Sequence, residues 1–297
     1  MTAPDSGPGL AGPVIAGVDG GPSGKDALVL GRWAADVLDV PLVVAVVHPE
    51  PAGGAGRVDA EWIADRHRAA GAVLDGARTV LKDTTGPVEY RTVASTSASH
   101  GLHDLAEELD AQTIVVGSGR AAPPMRLFAG STAERLLSGS VCPIAVAPAG
   151  MLSPPGSLGR IGVAYIDTSD GRAALATAAR LARRTGSPLR LYTVVADHNT
   201  TLPPLIGEDS ERAFLSLAME NYEATLTAAV ASVPDVEADF EILTGNVVET
   251  LSELDDVDVL FCGSRGYGPA RRVLLGGVST KLMRRAKRPI VVVPRGD

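Results

Sequence analysis

Apolar and polar positions along this chain follow two alternating patterns. Short apolar runs, such as Pro41 to Val47 and Val259 to Cys262, are typical of strands that are buried on both faces of a sheet. Between such runs lie longer segments with apolar residues three or four positions apart, as in Lys25 to Leu38. Strands that alternate with helices indicate parallel βαβ units, so the pattern predicts an α/β chain with doubly wound parallel sheets.

The same order of elements occurs twice. In the first half we predict strands over 13–18, 41–47, 88–93, 113–116 and 144–147, with helices over 25–38, 58–82, 98–109 and 131–137. In the second half we predict strands over 160–166, 189–195, 240–243, 259–262 and 290–293, with helices over 172–185, 211–233, 247–254 and 278–288.

Particular residues repeat along with the elements. Three of them recur 146 positions later, namely Gly117 as Gly263, Gly130 as Gly276 and Pro143 as Pro289. A repeat of this length predicts two tandem copies of one domain. We place domain 1 at 13–148 and domain 2 at 160–297, with a Pro/Gly/Ser-rich linker at 149–159 and a disordered tail at 1–12.

Composition narrows the functional class. The net charge of −8 argues against a nucleic-acid partner. No apolar run approaches the roughly 18 residues that a membrane helix needs, and the N-terminus lacks the features of a signal peptide. We therefore expect a soluble cytoplasmic protein. Cys142 and Cys262 lie in apolar runs, so we expect buried free thiols and not a disulfide.

The most informative stretch is Val257 to Thr280. An apolar run leads into Gly263, Gly266 and Gly276, and a predicted helix follows. Glycine lets the backbone approach a ligand closely, and a helix N-terminus presents unpaired N–H groups at the positive end of the helix dipole. A strand, a glycine loop and a helix N-terminus in this order suit a phosphate group.

The glycine spacing, G-x2-G-x9-G, resembles the nucleotide loop of the universal stress protein family, although Gly277 stands where that family has Ser or Thr. The resemblance covers both copies. It implies an adenine nucleotide alpha hydrolase-like fold, with five parallel strands in the order 3-2-1-4-5 in each copy. It also implies ATP or a related adenine nucleotide as the ligand, with or without Mg²⁺.

In the first copy the resemblance assigns a role to five residues. Asp19 matches the acidic residue that contacts adenosine, and Val47 matches the position whose backbone reads the adenine edge. Gly117, Gly130 and Ser131 match the phosphate loop. Arg120 stands at the second motif glycine, where it either impairs the loop or adds charge near the phosphates.

In the second copy the glycine motif is fuller, but strand one is less regular. The acidic position falls on Ile166, so Asp167, one residue late, is the candidate that takes its place. Arg265 is a candidate for steering phosphates, and Ser279 for supplying a hydroxyl. The remaining candidates, carried over from the family's loop and strand two, are Val194, Gly263, Gly266, Gly276, Gly277 and Val278.

The resulting hypothesis is a universal stress protein that binds nucleotide, acts in stress or growth regulation and is not an enzyme. Two alternatives remain, a nucleotide-free interaction or scaffold module and a slow ATPase. We expect a homo-oligomer or an intramolecular pair of domains. A metal could bind His100 and His103 together with Asp104 and Glu107, but we expect these residues to form a solvated helix face. We interpret His48 as a structural residue at a strand end.

Overall fold

The computed structural model describes residues 12–49, 59–119, 122–127, 130–137, 139–151, 158–195, 208–264 and 277–294. The chain divides into two compact units. Unit 1 comprises Met1–Pro124 and Phe128–Pro154, and unit 2 comprises Met125–Leu127 and Pro155–Asp297. The predicted tail, apart from Gly12, and the middle of the predicted linker lie outside the described residues.

Unit 1 is a parallel sheet with helices between its strands. The strands are β1 (Val14–Gly17), β2 (Leu42–Pro49), β3 (Val88–Ser95), β4 (Thr113–Gly117) and β5 (Ile144–Ala147). The helices are α1 (Pro22–Leu38), α2 (Asp59–Val80), α3 (Ala98–Glu108) and α4 (Ser131–Leu136). Parallel pairing in the order β3-β2-β1-β4-β5 confirms the predicted strand order for this unit.

Unit 2 repeats this architecture. Its strands are β6 (Ile161–Ala164), β7 (Leu189–Val195), β8 (Ala238–Thr244), β9 (Val259–Gly263) and β10 (Ile290–Val293). Its helices are α5 (Ser169–Thr185), α6 (Glu208–Ala231), α7 (Val247–Ser252) and α8 (Gly277–Leu282). The parallel order β8-β7-β6-β9-β10 is the same arrangement as in unit 1.

The strand registers give a residue-by-residue correspondence between the two units. Gly17 lies opposite Ala45 in unit 1, and Ala164 lies opposite Tyr192 in unit 2. In both units the residue after the first strand donates its N–H to that partner's carbonyl, Val18 to Ala45 and Tyr165 to Tyr192, at 2.9 Å each. Ala45 and Tyr192 are therefore equivalent positions, as are Val18 and Tyr165.

One predicted helix is wrong in length. Residues 278–288 were expected to be helical, but α8 ends at Leu282. The N–H of Arg284 bonds to the carbonyl of Lys281, and that of Arg285 to Leu282, so i→i+3 bonds turn the chain out of the α-helix. The other bounds differ from the prediction by at most three residues, as helix and strand ends commonly do.

The buried core of each unit consists mainly of Val, Leu, Ile and Ala on both faces of the sheet, in agreement with the low aromatic content. Cys142 and Cys262 are both buried and free, as predicted. Burial raises the pKa of Cys142 to about 11 and that of Cys262 to about 12, so both remain neutral thiols. In the described part of the chain, no helix is both long and apolar enough to cross a membrane.

Candidate nucleotide crevice

Unit 1 contains a crevice of about 510 Å³ at the carboxyl ends of β1, β2 and β4. This edge is where ligands bind in open α/β sheets, because the direction of winding reverses between the strands there. Small-molecule sites are commonly about 300–1,000 Å³, so the crevice has room for a nucleotide. The predicted residues Asp19, Val47, Gly117, Gly130 and Ser131 all line it.

Asp19 lies two residues after β1, at the entrance to α1. Its Oδ1 accepts a hydrogen bond from the N–H of Gly21 at 2.9 Å, which holds the carboxylate within the β1–α1 turn. The side chain is exposed to the crevice. A carboxylate in this position can accept hydrogen bonds from hydroxyl groups of a ligand.

Val47 offers its backbone to the same crevice. Val14 donates its N–H to the carbonyl of Pro41, and Val18 to that of Ala45, so alternate residues of β2 direct their peptide groups toward β1. Val47 is the next residue in this series, beyond the last residue of β1. Its N–H and C=O therefore face the crevice, where they suit the ring-nitrogen acceptor and amino donor of an adenine edge.

The part of the crevice where the phosphate loop was predicted is formed where β4 meets the first turn of α1. Gly117 ends β4, and a Cβ added to it would lie 1.9 Å from the carbonyl oxygen of Ser23. Only glycine allows this close approach, which brings Ser23 and Gly24 into the crevice wall beside Ser131 and Thr132. Arg120 lies outside the described residues.

Several lining residues were not predicted from the sequence. Ser23 and Gly24 enter because α1 begins at Pro22. Arg66 of α2 reaches the crevice, with its guanidinium carbon 5.3 Å from the centroid of the Trp62 ring. The i, i+4 spacing of Trp62 and Arg66 in the sequence indicates this cation–π pair. Nothing in the sequence indicates that Arg66 lies at the crevice.

The equivalent crevice in unit 2 is much smaller, about 40 Å³. Tyr165 replaces Val18, Tyr192 replaces Ala45 and Ile166 replaces Asp19, and all three line what remains of the space. Tyr165 and Tyr192 are 4% and 1% exposed, and both are larger than Val18 and Ala45, which line the crevice of unit 1. The residual space suits a few water molecules at most.

Hydrogen bonds hold both tyrosines in place. The Tyr192 hydroxyl donates to the carboxylate of Asp256, with oxygen–oxygen distances of 2.8 and 2.7 Å. The Tyr165 hydroxyl donates to Asp167 Oδ1 at 3.3 Å, and burial together with that carboxylate raises the pKa of Tyr165 to about 12. Asp167 also pairs with Arg172 at 2.5 Å and does not line the small crevice, so it does not take the place of the missing acid.

The remaining candidates in unit 2 fall into two groups. Val194, Gly263, Gly277, Val278 and Ser279 lie at or beside the small crevice. The hydroxyl of Ser279, which was expected to face a ligand, is 2% exposed and its Oγ donates to the carbonyl of Gly263 at 2.7 Å. Arg265, Gly266 and Gly276 lie outside the described residues.

On α3, His100, Asp104 and Glu107 are exposed and His103 is half-buried. Ligand atoms of His103, Asp104 and Glu107 are within 4.8 Å of one another. His100 pairs with Asp104 at 3.8 Å and His103 with Glu107 at 3.7 Å. None of these four residues lines the large crevice.

Comparisons with known proteins agree with this duplicated architecture. The family model described as "Universal stress protein family" matches residues 12–148 and 158–294. Universal stress proteins Rv2319c of Mycobacterium tuberculosis and Mb2346c of Mycobacterium bovis are each 30% identical over 289 residues, which is 95% of this chain and 99% of theirs. A crystal structure of a universal stress protein from Archaeoglobus fulgidus has a TM-score of 0.68 at 20% identity, covering 97% of this chain and 98% of that one.

Proposed function

Because this chain belongs to the universal stress protein family, we propose that unit 1 binds ATP or a related adenine nucleotide and that occupancy of its crevice regulates a stress or growth response. The observation that carries the proposal is the meeting of three features in one 510 Å³ space. These features are the peptide group of Val47, the carboxylate of Asp19 and the small residues at the end of β4. They suit adenine, ribose and phosphate respectively.

Binding, and not chemistry, is the activity that we propose. Nucleotide hydrolysis needs acidic residues to hold a metal ion and a group to position water. Among the described residues that line the crevice, Asp19 is the one carboxylate. A ligand that binds one state of the protein better than another shifts the population toward that state without being consumed.

A scaffold function is the second candidate, and it concerns unit 2. The small size of its crevice and the replacement of the acid by Ile166 favour a unit that contributes surface and stability without a ligand. The two functions are compatible within one chain, because each unit has its own core.

The first test is calorimetric titration of the full chain with ATP, ADP and AMP, together with analysis of any nucleotide released when the purified protein is denatured. We expect saturable binding that Asp19→Ala weakens at least tenfold, since a hydrogen bond to a charged group contributes about 1.5–3 kcal/mol. Asp167→Ala is the matched control and should leave the affinity unchanged, because Asp167 pairs with Arg172 away from the crevice. Absence of both binding and released nucleotide would refute the proposal.

A further inference from the structure

A pair of histidines stands at the β2 end of the large crevice. His48 directly follows Val47 on β2, is 7% exposed and lines the crevice. The exposed His67 lies on α2, and the centroids of the two rings are 4.5 Å apart at an interplanar angle of 64°. Unit 2 has Val195 at the position of His48, so this histidine is particular to the open crevice.

The backbone favours one tautomer of His48. Its Nδ1 lies 3.3 Å from the carbonyl oxygen of Pro49, an acceptor, so Nδ1 carries the hydrogen and donates it. A neutral imidazole that donates from Nδ1 keeps a lone pair on Nε2. Metal-binding histidines characteristically have this arrangement, in which a carbonyl or carboxylate accepts from the nitrogen that does not bind the ion.

The separation of the rings also fits a shared ion. Zinc–nitrogen distances are about 2.0–2.1 Å, which places the centroids of two imidazoles on one ion roughly 4.5–5.5 Å apart. The 4.5 Å separation is within this range, and the exposed ring of His67 can turn to direct a nitrogen at the ion. The side chain of Arg66, next to His67, extends over the ring of Trp62.

We propose that His48 and His67 bind one transition-metal ion of the zinc, nickel or copper type at the β2 end of the crevice. Imidazole ligands favour these ions, whereas Mg²⁺ prefers oxygen ligands. Water fills the remaining coordination positions in the absence of nucleotide. Of the two ligands, His48 lines the crevice, so the ion would add positive charge beside a wall that already contains Arg66 and the carboxylate of Asp19.

The test uses the full, tag-free chain freed of nucleotide, so it is independent of nucleotide binding. Zn²⁺ is titrated against a chromophoric chelator in the presence of excess Mg²⁺. We expect one Zn²⁺ per chain, and His48→Gln or His67→Gln should each weaken binding about tenfold or more. His67 is exposed, so His67→Gln should fold even if the variant at the buried His48 does not.

His103→Gln is the matched control, because it disrupts the alternative cluster of His103, Asp104 and Glu107 on α3. It should leave Zn²⁺ affinity unchanged. Zn²⁺ binding that is lost in His103→Gln and retained in His67→Gln would overturn the proposal, as would failure of the wild-type chain to compete with the chelator. Circular dichroism of each variant confirms that the fold is intact.

Discussion

The two units have the same strand order and the same register, yet one crevice has a volume of about 510 Å³ and the other about 40 Å³. The glycine motif is more complete in the unit with the smaller crevice. Among the described residues, which leave out most of the second glycine loop, the two crevices differ in the side chains at neighbouring strand ends. Val18 and Ala45 line the larger crevice in unit 1, whereas the bulkier Tyr165 and Tyr192 line the smaller one in unit 2.

The largest effect on nucleotide affinity is expected when Ala45 of unit 1 is replaced by tyrosine, the residue that unit 2 has at the equivalent position, Tyr192. Ala45 lines the open crevice, so the larger side chain of Ala45→Tyr should reduce the space for a ligand and weaken nucleotide binding at least a hundredfold, or about 2.7 kcal/mol. Calorimetric titration measures the effect.

Tyr192→Phe is the control for that exchange. It removes the hydroxyl that bonds to Asp256 and leaves the ring, so it should lower the stability of unit 2 without changing nucleotide affinity. If Ala45→Tyr binds nucleotide as wild type does, the ligand does not occupy the crevice that we describe.

The next largest effect is expected at Gly117 and Gly263, which occupy equivalent positions in the two units. Substitution by alanine should lower stability in both units but nucleotide affinity in unit 1 alone. Gly117→Ala would place a Cβ 1.9 Å from the carbonyl oxygen of Ser23, and Gly263→Ala would place one 2.9 Å from that of Asp170. Each should cost about 1–3 kcal/mol of stability, because the first turn of α1 or α5 must move. Only Gly117→Ala should also weaken nucleotide binding, since Ser23 and Gly24 line the open crevice.

Urea unfolding and calorimetry measure these two quantities on the same samples. Equal losses of affinity in both glycine variants would show that the units act together in binding, which contradicts the difference between them. Unchanged stability in both variants would contradict the close approach of helix and strand.

Smaller effects are expected from removing the hydroxyl groups of Ser131 in unit 1 and Ser279 in unit 2, and the two variants should differ in which property changes. Ser131 lines the open crevice, so Ser131→Ala should weaken nucleotide binding about fivefold, or roughly 1 kcal/mol. Ser279 donates to the carbonyl of Gly263, so Ser279→Ala should cost about 1 kcal/mol of stability and leave the affinity unchanged. The reverse result, with affinity lost in Ser279→Ala, would place the ligand in unit 2.

The smallest effect concerns Asp26, whose counterpart in unit 2 is Ala173. Its buried carboxylate accepts from the N–H groups of Gly150 at 3.0 Å and Met151 at 2.9 Å, yet burial outweighs these bonds and raises the pKa of Asp26. The unfolded chain loses this proton at a lower pH. The contribution of Asp26 to stability is therefore fully present below its unfolded pKa, and it is lost as the pH rises through the folded pKa.

Asp26→Asn removes this titration. Stability measured by urea unfolding at a series of pH values should fall less with rising pH in the variant than in the wild type. An unchanged slope would mean that Asp26 has the same pKa in the folded and unfolded chains.

Much of the fold and part of the site could be predicted from the sequence. The strand pattern predicted the doubly wound sheets, because buried parallel strands have a distinct apolar signature, and the repeat predicted two copies. The strand order came from the resemblance to the universal stress protein family. Asp19, Val47 and Gly117 could be placed together because strand ends meet at one edge of a sheet. The shift from Asp19 to Ile166 was also visible by alignment, and the strand registers agree with it.

The sequence did not reveal which crevice is open. Tyr165 and Tyr192 both lie in segments that were interpreted simply as strands, and the volume they fill depends on which way each ring points. The glycine motif is more complete in the second copy. A glycine motif indicates the conformation of the loop, but it carries no information on the volume of the crevice beside it. The position of Arg66 depends in the same way on how α2 packs over the sheet.

The most direct test of the difference between the units is the number of nucleotides bound per chain, counted by native mass spectrometry at saturating ATP. We predict one nucleotide per wild-type chain and none in Ala45→Tyr. Two nucleotides per wild-type chain, or one that remains in Ala45→Tyr, would contradict the proposal that nucleotide binds in the crevice of unit 1 alone.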